Sequence, residues 1–163
     1  MKKNTILILN FFILIVLLTG CSKISSNILT TDLSAIFIDD LSIGSSIERI
    51  NLNQYTESER HSGNYTYRFD ELVINIDNNK INYLFSRFDE NKTVISVNGQ
   101  TDLTNIDTVS DILGNNFKEK WKDKEQQLMV HIYYDHTNNT EVQFVYSKYD
   151  NSLVWITMSQ IDN

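Results

Sequence analysis

Proline is absent from this chain of 163 residues, glycine occurs five times, and there is a single cysteine. Without proline, reversals of direction fall to Asn, Asp and Gly, which tolerate left-handed backbone. With one thiol, neither an intrachain disulfide nor a multi-cysteine metal site can form. Positive charge is scarce too. The 14 Lys+Arg stand against 21 Asp+Glu, a net charge of −7. An excess of that sign argues against nucleic acid as a partner and against electrostatic adhesion to anionic lipid. No GxSxG, SxxK, HExxH, P-loop or GxGxxG signature occurs, so no common catalytic or cofactor motif is present.

What the chain does have begins at its N-terminus. Lys2 and Lys3 precede an apolar run from Ile6 to Leu18 that only Asn10 interrupts. Leu18-Thr19-Gly20-Cys21 follows and resembles the bacterial lipobox, where small residues let a peptidase reach the bond before a cysteine. The apolar run is about thirteen residues, short of the roughly 20 that a spanning helix needs. Residues 1–20 are therefore expected to be a removed signal peptide, with Cys21 carrying the lipid. Cleavage takes Lys2 and Lys3, leaving 12 cations against 21 carboxylates, a charge of −9. Acylation consumes the only thiol, so thiol catalysis is excluded. Two or more acyl chains of the palmitate kind on that cysteine suffice for stable anchoring. The expected place is the outer side of the cell membrane. Residues 21–33, rich in Ser, Thr and Asn, read as the lipidated cysteine and a tether that extends roughly 40 Å at most.

Beyond the tether the chain reads as two similar units, residues 34–100 and 101–163. In the first, Ser45 and Glu48 have capping-box spacing, and Ile43, Ile47 and Ile50 share a helical face. Alternating strands follow at Tyr65–Phe69, Leu72–Asp77 and Ile81–Phe85, with Asp77-Asn78-Asn79-Lys80 as a turn. In the second, Ile106, Val109 and Leu113 keep helical spacing and Gly114 sits at a C-terminal cap. Leu128–Tyr134, Glu141–Tyr146 and Leu153–Met158 then alternate as strands. The expected fold class is α+β. Two tandem units, each a short helix followed by a three-stranded antiparallel meander, would form a sheet with helices on one face.

Ile43-Gly44 with Ile47, Asp111-Ile112-Leu113-Gly114 and the strand runs after them resemble the β-lactamase-inhibitor-protein-like fold. Used singly, the same unit resembles the small assembly lipoproteins of the SmpA/OmlA type. That resemblance implies a non-catalytic module that grips a protein partner or docks on a larger complex.

Candidate sites are few. Val130, Ile132 and Tyr134 with Val142, Phe144 and Tyr146, and with Val154, Ile156 and Met158, are expected to form the core face. The opposite face would then carry His131, Tyr133, Gln143 and Trp155, aromatic bodies with polar tips of the kind found at binding hot spots. His131 and His136 are five residues apart on a strand, which puts their rings on opposite faces and argues against a shared metal. The Asp/Asn-rich turns lack the spacing and central glycine of a calcium loop. No metal and no cofactor is expected. The expected role is a membrane-anchored, non-catalytic protein-binding or scaffolding lipoprotein of the cell envelope. The alternative is a ligand-sequestering or immunity/inhibitor-type lipoprotein, which would need a pocket lined by Tyr and Trp.

Overall fold

The computed structural model describes residues 30–59, 64–88 and 93–161. The expected signal segment, Cys21, most of the tether, and His61 lie outside them. Nine strands and one α-helix follow in order: β1 (Ile36–Ile38), β2 (Tyr67–Arg68), β3 (Leu72–Asp77), β4 (Lys80–Arg87), β5 (Ile95–Val97), α1 (Ile106–Leu113), β6 (Lys118–Asp123), β7 (Leu128–Asp135), β8 (Thr140–Ser147) and β9 (Leu153–Gln160). Seven of them make one antiparallel sheet in the order β2-β3-β4-β9-β8-β7-β6, while β1 and β5 pair separately.

This corrects the expected α+β fold of two helix-plus-meander units. Among the described residues strand accounts for 48% against 11% helical, 3-10 turns included, so they are mostly β, with one α-helix. The helix that failed to form is the instructive one. Only Ile47–Arg49 turns, as a single 3-10 turn capped by Ser46 rather than Ser45. The backbone on either side is committed to the β3–β4 hairpin: Gly44 N–H donates to Ile81, Ile81 N–H to Ser45, and Ile47 N–H to Asn79. Groups engaged across to another segment cannot close the i to i−4 ladder of a helix. By contrast α1 forms as its sequence directs. Asn105 Oδ1 accepts from Thr108 N–H at 2.9 Å, and Gly114 closes the C-terminus at φ 81° and ψ 179°.

Tight reversals need left-handed backbone, and three turns without proline supply it. Asp39-Asp40, Asn78-Asn79 and Asn98-Gly99 each place two successive residues at positive φ. That is the type I′ signature, whose twist matches that of the strands it joins.

The core lies on one side of the large sheet. Ile74, Leu84, Val142, Phe144, Ile156 and Met158 pack there with Ile106 and Val109 of α1 and with Ile36, Ile38, Ile95 and Val97 of the small sheet. Burying each such side chain contributes about 1.5–3 kcal/mol, so this layer supplies most of the stabilising area. A smaller cluster of Leu128, Val130, Ile132 and Val145, flanked by Tyr134, Val154 and Trp155, lies on the other side. It draws only on β7, β8 and β9. The helix and the small sheet all cover the inner face, and among the described elements none crosses the outer one.

The tether's last residues are docked. Thr31 N–H donates to Tyr134 O, and Leu33 N–H donates to the buried Asp135 carboxylate at 3.1 Å. The chain therefore enters the domain beside the C-terminal end of β7.

Candidate functional site

The residues expected to share a binding face are divided by the sheet. β7 and β8 pair as Asp135↔Thr140, Tyr133↔Val142 and His131↔Phe144. Four residues lie between Asp135 and Thr140, so odd-numbered positions of β7 face even-numbered positions of β8. His131 and Tyr133 consequently join Val142 and Phe144 on the inner, covered face, and both are buried. Val130 and Ile132 turn outward instead. A one-residue difference in turn length would exchange every side chain between faces. On β9 a bulge opposite Val145 and Tyr146 changes the phase again, bringing Leu153 rather than Val154 into the core. Gln143 and Trp155 remain outside.

The open face can be read from the register. One row crosses the sheet as Val73, Phe85, Thr157, Gln143, Ile132 and Lys118. A second runs Arg87, Trp155, Val145, Val130 and Lys120. Its floor is aromatic and aliphatic. Phe85 and Trp155 sit with ring centroids 6.5 Å apart, and Tyr65 stacks on Tyr83 at 5.6 Å. Trp155 and Phe85 are half-buried, offering apolar area without being sealed in. Polar groups cross this floor. Gln143 Nε2 donates to Glu141 at 2.6 Å, and Lys122 Nζ donates to Gln143 Oε1 at 3.5 Å.

The rim along β6 is basic. Lys118, Lys120 and Lys122 are exposed, in a strand that falls between the helix and the Leu128 strand that sequence patterning marks. Lys-Glu-Lys-Trp-Lys-Asp shows no apolar alternation, because as an edge strand it buries little. Its legible signal is the charge alternation.

His131 sits beneath this edge in a polar cluster. Its ring stacks on Phe117 at 3.6 Å and meets Tyr146 edge-on. Nε2 lies 3.3 Å from Glu119 Oε1, and Tyr146 Oη donates to that same oxygen at 2.5 Å. Burial pushes the His131 pKa down, with Glu119 pulling the other way. The Tyr146 hydroxyl leads the groups that hold Glu119 below the usual carboxylate range. Ser110 Oγ stands 3.5 Å from Nδ1, a Ser–His–Glu sequence of side chains, but its hydroxyl donates to Ile106 O. None of the three described clefts is lined by these residues. The cluster fastens β6 and α1 to β7.

The clefts are lined by mixed polar and apolar groups and contain no tryptophan. The largest described, about 490 Å³, is bordered by Asp39, Asp40, Tyr55 and Glu71. Its Asp39 is already engaged by Tyr55 Oη and Val94 N–H. Among the described residues no group of three His, Cys, Asp or Glu side chains is placed to hold a metal, and no helix is long and apolar enough to cross a membrane. No family model, curated protein or solved structure matches the chain.

Proposed function

We propose that this chain is a lipid-anchored, non-catalytic binding module of the cell envelope, held at the membrane through Cys21, with a protein partner on the open face of its sheet. The observation that carries the reading is the pair of half-buried rings Trp155 and Phe85, 6.5 Å apart above the buried Val145 and Val130, on the side of the sheet that no described helix or strand crosses. Aromatic anchors ringed by hydrogen-bonding and charged groups are the composition of protein-binding surfaces. The lipobox at Leu18–Cys21 supports the anchoring. Docking of residues 30–33 beside the end of β7 supports a fixed point of attachment for the tether.

The test is a photo-cross-linking residue introduced at Thr157, in the middle of the open face, and at Asp111, exposed on α1. Irradiation of intact cells is expected to yield a protein adduct from position 157 and none from position 111. Absence of an adduct at 157, or the same adduct from both positions, contradicts the reading.

A further inference from the structure

The free side of β6 carries an inference that rests on the binding-module reading and defines the chemistry of the partner. β6 ends the sheet, and among the described residues no backbone hydrogen bond leaves residues 118–123 except toward β7. In an edge strand the remaining amides and carbonyls point outward and offer a template for another strand. Lys118 and Lys120 stand opposite Ile132 and Val130, which places them on the open face. Among the described residues neither lysine has a carboxylate partner, and Lys122 reaches the Gln143 amide. With Lys124, this stretch of seven residues holds four of the chain's 14 cations, against a net charge of −7.

We propose that an extended acidic segment of a partner protein adds to β6 as an eighth strand. Its carboxylates at alternate positions then lie beside Lys118, Lys120 and Lys122, within the roughly 4.5–5.5 Å that separates neighbouring side chains of paired strands. The intervening side chains fall beside Glu119 and Trp121. A basic residue suits the first position and an apolar one the second. The recognised pattern is acidic–basic–acidic–apolar–acidic. A second copy of this chain is the wrong occupant, because pairing β6 with itself sets the lysine rows against one another. A glycan or lipid headgroup would meet the lysines but leave the backbone edge unpaired.

The experiment titrates the purified lipidated protein in detergent with the capped peptide Thr-Glu-Lys-Glu-Val-Glu-Thr, followed by tryptophan fluorescence and calorimetry. Saturable binding is expected, weakened about three- to tenfold by Lys120→Glu. It should be abolished by N-methylation of alternate peptide amides, which preserves charge but prevents strand pairing. Circular dichroism of Lys120→Glu must match the parent. Absence of saturable binding, or binding unchanged by N-methylation or by Lys120→Glu, overturns the proposal. So does stronger association with phosphatidylglycerol vesicles than with the peptide. Cross-links from position 157 that persist in a Lys118/Lys120/Lys122→Glu triple variant would leave the binding module standing while removing the β6 edge from its interface.

Discussion

His131 Nε2 lies 3.3 Å from Glu119 Oε1, so the imidazole of a buried strand is tied to a carboxylate of the sheet's edge strand. Acid acts on both partners in the same direction. Burial holds the His131 pKa below its ordinary 6.5, so the unfolded chain takes up a proton first as pH falls through that value. Stability therefore declines on acidification below about pH 6.5. Glu119 is held below 4.5, so its contribution is present above that pH and is lost as pH falls further. Melting temperatures followed by circular dichroism from pH 8 to about pH 3 should show a decline in two stages. His131→Phe, which keeps the stack on Phe117, should remove the first stage and leave the second. An unchanged first stage in that variant rules His131 out as its origin.

Asp135 carries a heavier structural duty than its place at the end of β7 announces. It is 1% exposed and accepts from Leu33 N–H, Thr137 N–H, Asn138 N–H and Asn138 Nδ2. Asp135→Ala leaves those donors without an acceptor, at a cost of about 2–4 kcal/mol. Urea unfolding should report that loss, and limited proteolysis should show residues 30–33 cut more readily. Loss of less than about 1 kcal/mol contradicts the hub.

Individual elements are legible in the sequence, while their assembly into one seven-stranded sheet is not. The β3–β4 hairpin follows from alternation on both sides of Asn78-Asn79, and α1 from its Asn105 and Gly114 ends. β7, β8 and β9 stand where alternation puts them. What alternation cannot supply is phase between strands. Whether His131 shares a face with Phe144 or with Val145 depends on the number of residues in the turn, and whether Leu153 or Val154 enters the core depends on the bulge near Tyr146. β6 escaped because edge strands have little need of apolar residues. The Ser45–Ile50 segment has helical periodicity, but its backbone groups are taken by Asn79 and Ile81. Of the four candidate binding residues, only Gln143 and Trp155 stand on the open face.

That division sets Tyr133 against Trp155. Tyr133 is fully buried and its hydroxyl donates to Gly114 O at 3.1 Å. Tyr133→Ala is expected to cost about 3–5 kcal/mol through cavity formation, and Tyr133→Phe about 1 kcal/mol through the lost hydrogen bond. Trp155→Ala, on the half-open face, should cost clearly less than Tyr133→Ala and retain the far-UV spectrum. Chemical denaturation of the three variants checks the order; a Trp155→Ala loss equal to that of Tyr133→Ala would place the tryptophan in the core.

Gly114 tests the backbone rather than packing. Its φ of 81° with ψ of 179° lies in a region essentially confined to glycine, and a Cβ there would meet nothing within 4 Å. Gly114→Ala is expected to lose about 1–3 kcal/mol from strain alone. A neutral result by thermal or chemical unfolding would mean that the end of α1 relaxes freely.

The most direct test of the open face uses the scarcity of thiols, since Cys21 is the only one the chain encodes. Single cysteines at Thr157, on the open face, and at Tyr149, 94% exposed in the turn between β8 and β9, are labelled with a membrane-impermeant maleimide. Both should react in the purified protein. In intact cells position 149 should still react, reporting an extracytoplasmic domain, while position 157 is shielded by its partner. Equal labelling of both positions in cells, matching the purified protein, would contradict a partner seated on this face.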